Sequence, residues 1–225
     1  MSKKVLVTWS GGLDSTYLIY KNLVEGNMVI PVYLNIENNL DKSNREIATI
    51  YKMYDVFKDL KLDGHLEPIR EEFNITVESG CNLKFQQIPV WICGMLFTNW
   101  DNIDEIQMGY VMNDDAVSYV DDIKKIFRSY KGIIHDEVSN VKLSFPLLKY
   151  GKKQIWNEMP DKLRQLTTFC EEPYEGKDCG ECHACKRSEF EGLFNKYDRN
   201  IGDGMEEVIE DDMVLEVMVK EEQID

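Results

Sequence analysis

The chain has 225 residues, which is enough for one well-buried domain with a small appendage. Its 43% hydrophobic and 30% charged residues are typical of a soluble globular protein, and no apolar run reaches the roughly 18 residues that span a bilayer. A formal net charge of −15 disfavours nucleic acid as a partner, and the N-terminus lacks a signal-peptide pattern, so we expect a cytoplasmic protein with a small-molecule substrate.

Short apolar runs and helical patterns alternate along the chain, which is typical of a doubly wound parallel α/β domain. Strands are predicted at residues 5–9, 29–34, 65–69, 103–109 and 141–145. Helices are predicted at residues 15–24, 42–60, 89–100, 118–130 and 152–166. We therefore expect a parallel five-stranded sheet within residues 1–166, with residues 70–87 and 110–117 forming loops that follow strands.

A glycine-rich loop lies between the first predicted strand and the first predicted helix. It consists of Ser10, Gly11, Gly12, Leu13, Asp14, Ser15 and Thr16. Adjacent glycines let backbone N–H groups approach an anion, and the helix N-terminus adds a partial positive charge. The Gly-Lys-Ser/Thr ending of a Walker A loop is missing. The loop resembles the pyrophosphate loop (PP-loop) of ATP pyrophosphatases, which transfer AMP to a substrate and release pyrophosphate.

All seven residues are predicted to bind ATP, and three of them are the predicted catalytic residues. Ser10 and Ser15 offer hydroxyl donors to phosphate oxygens. Asp14 either contacts the magnesium ion that accompanies the nucleotide or fixes the loop, and the sequence leaves both roles open.

Four cysteines form a second motif near the C-terminus. They are Cys170, Cys179, Cys182 and Cys185, separated by eight, two and two residues. Four thiolates suit a structural zinc site, although an iron–sulfur cluster uses the same ligands and His183 is an alternative donor. We predict a zinc-binding subdomain at residues 167–200 and an acidic tail at residues 201–225.

An N-terminal PP-loop combined with a C-terminal Cys-x8-Cys-Gly-x-Cys-x2-Cys knuckle resembles the 7-cyano-7-deazaguanine synthase (QueC) family. The resemblance extends from about residue 4 to residue 194. It implies that ATP adenylates 7-carboxy-7-deazaguanine, that ammonia displaces AMP to give an amide, and that a second activation dehydrates the amide to a nitrile. It also implies a doubly wound sheet, a structural zinc ion and a homodimer.

The middle of the chain departs from the family pattern where substrate binding is expected. The family has a Tyr-Pro-Asp-Cys-Arg segment, of which Tyr119 and Asp121 remain here, with Asp115 ahead of them. We predict that Asp115 and Asp121 accept hydrogen bonds from the guanine-like edge of a deazapurine and that Tyr119 flanks the ring. The alternative is that both acids are surface charges. Lys84 or Arg70 is a hypothetical partner for the substrate carboxylate.

Three other functions stay open at this stage. A diverged member could join a deazaguanine to another amine, such as a protein, in a viral or antiviral system, with the acidic tail docking a partner. A different PP-loop enzyme could modify tRNA, which the acidic charge balance disfavours. A nucleotide-binding subunit without turnover is the third possibility.

Overall fold

The computed structural model describes residues 2–36, 39–75, 92, 94–96, 98–135 and 140–193. A parallel sheet forms its centre, with the strand order β3-β2-β1-β4-β5. The strands are β1 (Lys4–Thr8), β2 (Met28–Ile36), β3 (Arg70–Ile75), β4 (Glu105–Gln107) and β5 (Lys142–Ser144). Because β1 neighbours both β2 and β4, the chain leaves β1 toward one edge and later returns to build the other edge.

Helices connect the strands and cover the sheet. They are α1 (Leu13–Val24), α2 (Leu40–Asp59), α3 (Val120–Lys131), α4 (Lys152–Glu158), α5 (Asp161–Leu166) and α6 (His183–Phe190). Short 3-10 helices occupy Asp63–His65 and Asp115–Tyr119. Within the described part of the chain, no helix is long and apolar enough to cross a membrane.

Both faces of the sheet are buried, because successive residues of a strand point to opposite sides. Val5 and Val7 of β1 join a core that includes buried residues of α1, α2, α4 and α5. Leu6 of the same strand joins a second core, which includes Ile123 and Phe127 of α3. The predicted parallel α/β architecture is therefore confirmed.

Two predicted elements were wrong in position. The third strand was predicted at residues 65–69, but β3 spans Arg70–Ile75, inside the segment predicted to be a loop. Residues 63–65 form a 3-10 helix instead, and Pro68 has no N–H to donate to a strand ladder. The helix predicted at residues 152–166 is divided into α4 and α5, because Pro160 has no N–H for the α-helical hydrogen bond.

Some predictions lie wholly or partly outside the described residues. Of the helix predicted at residues 89–100, the structure describes helical backbone at residues 92 and 94–96. Lys84 and the acidic tail at residues 201–225 fall outside the description. Arg70, the other hypothetical partner of the substrate carboxylate, lies at the start of β3 and pairs with Glu67 at 3.5 Å.

Candidate functional site

A cleft of about 620 Å³ opens at the carboxyl ends of the central strands. Thr8 ends β1, Leu34 belongs to β2 and Met108 follows β4, and all three line the cleft. In open α/β sheets, ligands bind where the connections on the two sides of the sheet diverge, which here is between β1 and β4. The fold therefore places the cleft where a ligand is expected.

The glycine-rich loop forms one wall of this cleft. Gly11 has φ +70°, and a Cβ there would lie 3.3 Å from the backbone oxygen of Glu46, so glycine suits both the conformation and the space. The N–H of Thr168 donates to the Gly11 oxygen at 3.0 Å and holds the loop from outside. Gly12 is the N-cap of α1, and no side chain caps this end of the helix. The first-turn N–H groups of α1 are therefore suited to an anion in the cleft.

The hydroxyl groups of the loop have different surroundings. Ser10 and Ser15 line the cleft, and the Ser10 N–H lies 3.4 Å from the Ser15 hydroxyl. Thr16 is fully buried, and its hydroxyl accepts a 2.9 Å hydrogen bond from the indole N–H of Trp9. Among the predicted ATP-binding residues, Thr16 thus faces the core and supports the loop from behind.

A line of alternating charges joins the loop to the opposite wall. The ammonium of Lys152, on the first turn of α4, lies 2.8 Å from Asp14 and 3.5 Å from Asp114. The Arg187 guanidinium, on α6, lies 3.3 Å from Asp114 and 2.9 Å from Glu191. We call Asp14, Lys152, Asp114 and Arg187 the charge chain. All four residues line the cleft. The cleft of this strongly acidic protein therefore contains two cationic side chains, Lys152 and Arg187.

Burial and neighbouring charges set the pKa values of Asp14 and Lys152 in the charge chain. Burial raises the pKa of Asp14, although Lys152 acts in the opposite direction. Burial acts to lower the pKa of Lys152, but the carboxylates of Asp14 and Asp114 outweigh it and raise that pKa overall. Lys152 is therefore cationic at neutral pH. The Oδ1 atom of Asp14 is buried and has no hydrogen-bond partner among the described residues.

A further carboxylate, that of Glu46 on α2, lines the cleft. Its side chain is 15% exposed, and Tyr33 donates a 2.9 Å hydrogen bond to one of its oxygens. Burial raises the pKa of Glu46, whereas Lys42 at 4.0 Å lowers it. Glu46 is a constrained acceptor that faces the ligand space.

The four predicted metal ligands converge. The Sγ atoms of Cys170, Cys179, Cys182 and Cys185 all lie within 4.8 Å of one another. A tetrahedral site with zinc–sulfur bonds of about 2.3 Å needs sulfur separations of roughly 3.8 Å. The Cys170 and Cys179 sulfurs are 3.5 Å apart, so the cluster could hold a metal such as zinc.

The backbone around the cysteine cluster is arranged for thiolates. The N–H groups of Glu181 and Cys182 point at the Cys179 sulfur at 3.4 and 3.3 Å. Gly180, with φ +71°, makes the turn that brings them there. Burial raises the pKa of Cys170 to about 11, so metal binding would displace a proton from this thiol.

The segment that carries the cysteine cluster is joined to the rest of the domain. Asp178, next to Cys179, forms a 2.6 Å ion pair with Arg45 of α2. The Arg45 side chain is 4% exposed and that of Asp178 is 11% exposed. His183 and Arg187 of α6 line the cleft together with Cys170. The cysteine-bearing segment is thus part of the cleft wall.

The predicted substrate residues are not brought together. Asp115 lines the cleft and is exposed to it. Tyr119 is partly buried and packs on the second core. Asp121 lies in the first turn of α3 with its side chain 90% exposed, next to Lys124 at 4.0 Å. This position agrees with the alternative of a surface charge.

Sequence reasoning missed Lys152, Asp114, Arg187 and Glu46 as cleft residues. One signal was present, because Lys152 and Lys153 stand in the first turn of a helix, where the helix dipole disfavours cations. A lysine in an unfavourable place indicates a local anionic partner. The position of Arg187 two residues after Cys185 was a weaker signal.

Comparisons with known proteins identify a matching family model and two curated relatives. The family model described as queuosine biosynthesis protein QueC matches residues 88–194, which include all four cysteines. A 7-cyano-7-deazaguanine synthase of Campylobacter jejuni subsp. jejuni serotype O:6 is 28% identical over 210 residues, covering 82% of this chain and 91% of that protein. A 7-cyano-7-deazaguanine synthase of Buchnera aphidicola subsp. Schizaphis graminum is 26% identical over 214 residues, covering 81% and 87%.

The predicted resemblance to the QueC family is therefore confirmed. Both relatives are named as synthases. Each relative is matched over more than four-fifths of this chain.

Proposed function

We propose that this chain is an ATP-dependent carbon–nitrogen ligase that converts a deazapurine carboxylate into an amide and then into a nitrile. The observation that carries the proposal is the arrangement of the cleft. An uncapped helix N-terminus and the Lys152 ammonium face one space at the carboxyl ends of β1 and β4. Such a space suits a triphosphate, because backbone N–H groups and a fixed cation stabilise the charge of departing pyrophosphate.

The proposed reaction balances in four steps. The substrate carboxylate attacks the α-phosphorus of ATP, forming an acyl adenylate and releasing pyrophosphate. Ammonia attacks the acyl carbon and expels AMP, which leaves the amide and a proton. The amide oxygen attacks a second ATP in the same way, and loss of AMP and of both protons of the amide nitrogen gives the nitrile. Activation is necessary because a free carboxylate would have to expel oxide.

The loop residues have distinct roles in this proposal. Ser10 and Ser15 donate to phosphate oxygens, while Asp14 orients Lys152 through their 2.8 Å contact. Magnesium would be held by the nucleotide phosphates, with the Asp14 carboxylate of the loop as the candidate protein ligand. Zinc would be held by the cysteine cluster, where four thiolates complete a tetrahedron and serve structure.

Two cleft carboxylates are the proposed acceptors for the donor edge of the deazapurine. Asp115 retains the role predicted from the sequence, and Glu46 joins it because its side chain is held in place by Tyr33. A carboxylate suits adjacent N–H donors, since it accepts and never donates when ionised. We also propose that the protein is a homodimer, as the family resemblance implies.

The test is product analysis after incubation with ATP, magnesium, ammonia and 7-carboxy-7-deazaguanine. We expect AMP and pyrophosphate as nucleotide products, and mass spectrometry should detect first the amide and then the nitrile. ADP as the nucleotide product would contradict the assignment of the loop. Activation of the carboxylate without reaction with ammonia would favour the second candidate, an enzyme that joins the deazaguanine to a different amine, such as a protein.

A further inference from the structure

Arg187 links the cysteine cluster to the phosphate end of the cleft. It lies in α6, which begins at His183 directly after the capping residue Cys182 and contains Cys185 in its first turn. The Arg187 side chain is 24% exposed, and its guanidinium contacts Asp114 at 3.3 Å. A change in the cysteine cluster would therefore be transmitted to Asp114 by a single side chain.

The consequence for Lys152 follows from the charges around it. Lys152 lies between two carboxylates, Asp14 at 2.8 Å and Asp114 at 3.5 Å. One ammonium held by two carboxylates presents no net positive charge to an incoming anion. Arg187, which also pairs with Glu191 at 2.9 Å, supplies a second cation to Asp114, so the charge chain itself has two cations and two carboxylates. Without Arg187, Asp114 would depend on Lys152 alone, and the charge chain would become net negative.

We propose that Arg187 is a positioning residue that acts through Asp114 to keep the Lys152 ammonium available to pyrophosphate. The inference rests on the proposed function in one respect, namely that the glycine-rich loop receives phosphate groups. It adds that the cysteine-bearing segment contributes to phosphate binding and does more than stabilise the fold. The charge chain is the physical connection, since its members touch in sequence from α6 to α1.

The test measures binding of inorganic pyrophosphate by calorimetry, without turnover. Arg187→Ala should weaken pyrophosphate binding about tenfold, the effect expected when a charged contact is lost. Arg187→Lys keeps a cation near Asp114 and should stay within about threefold of the parent protein. The matched control is Lys186→Ala, which removes one positive charge from an exposed position of the same helix and should leave the affinity unchanged.

A structural role for Arg187 would produce a different pattern. Metal content and melting temperature are measured for every variant, and the proposal requires weaker binding at unchanged metal content. If Arg187→Ala does not fold, Arg187→Gln replaces it, because glutamine keeps a donor for Asp114 and removes the charge. An unchanged affinity in a folded, charge-free variant would overturn the proposal.

A double-mutant cycle separates action through Asp114 from direct contact with the anion. In an Asp114→Asn background, Arg187→Ala should weaken pyrophosphate binding less than about threefold, because the carboxylate that Arg187 balances is gone. A tenfold loss in both backgrounds would overturn the positioning role. Failure of the proposed function is recognised separately, since that would appear as absence of AMP formation with the deazapurine.

Discussion

Replacing Lys152 with methionine tests the central contact of the cleft. The variant removes the ammonium that lies 2.8 Å from the Asp14 carboxylate and leaves that carboxylate buried without its ion-pair partner. Breaking a fully buried ion pair in this way costs about 3–5 kcal/mol. Both side chains keep some exposure, 16% for Lys152 and 19% for Asp14, so we expect a loss of about 2–3 kcal/mol. In a protein of this size the melting temperature should fall by about 4–12 °C.

The pH dependence of this loss follows from Asp14. Its pKa in the folded protein is already raised above 3.8 by burial, and removal of Lys152 should raise it further. The folded variant then binds more protons than its unfolded form, so its stability falls as pH rises through this range. The deficit of Lys152→Met relative to the parent protein should be largest near pH 8 and should shrink toward pH 5.

Thermal unfolding followed by circular dichroism at both pH values is the assay. Lys162→Met is the matched control, because Lys162 and Asp59 also pair at 2.9 Å but remain 67% and 62% exposed. Its melting temperature should stay close to that of the parent protein at either pH, because exposed ion pairs contribute little to stability. Adding Asp14→Asn to Lys152→Met should restore most of the lost stability. A double variant no more stable than Lys152→Met alone would refute the reasoning.

Four further predictions test the loop and the cysteine cluster. Cys179→Ser should lose the bound metal and the order of α6, as measured by elemental analysis and proteolysis, and metal-free parent protein at purification would contradict the assignment. Ser10→Ala should slow pyrophosphate release from ATP at least about tenfold, with AMP as the nucleotide product. Gly109→Ala should slow the same reaction, because its Cβ would meet the backbone of Ser15 at 3.2 Å and displace the start of α1. Asp121→Asn should leave deazapurine affinity unchanged in a binding titration, since its side chain is 90% exposed.

The features that could be predicted from the sequence arise from residues that lie close to one another along the chain. The loop between β1 and α1 follows from an apolar strand, two glycines and a helical pattern in immediate succession. The cysteine cluster follows from spacing, because two overlapping Cys-x-x-Cys turns bring their sulfurs to one point. The carboxyl ends of parallel strands meet at one edge, so the location of the cleft near Gly109 was predictable as well.

What could not be predicted depends on contacts between distant segments. Asp14 and Lys152 are separated by 138 residues, and the local sequence around each of them does not indicate that the other is its partner. Asp114 and Asp115 are adjacent acids with similar local sequence, but only the carboxylate of Asp114 lies between two cations. Asp121 was selected from the family pattern, whereas the 3-10 helix ahead of α3 leaves its side chain in solvent.

The cysteine-bearing segment connects to the cleft in three places, which explains why a metal site would matter at a distance from any reacting atom. The Thr168 N–H donates a hydrogen bond to the Gly11 carbonyl, and the Arg187 guanidinium forms an ion pair with Asp114. Between them, Asp178 pairs with the buried Arg45 of α2. A buried pair adds little net stability but is costly to break, so it fixes the position of the segment more than it strengthens the fold. Loss of the metal would release α6 at Cys182 and with it the cation that balances Asp114, so phosphate binding should fail before the central sheet unfolds.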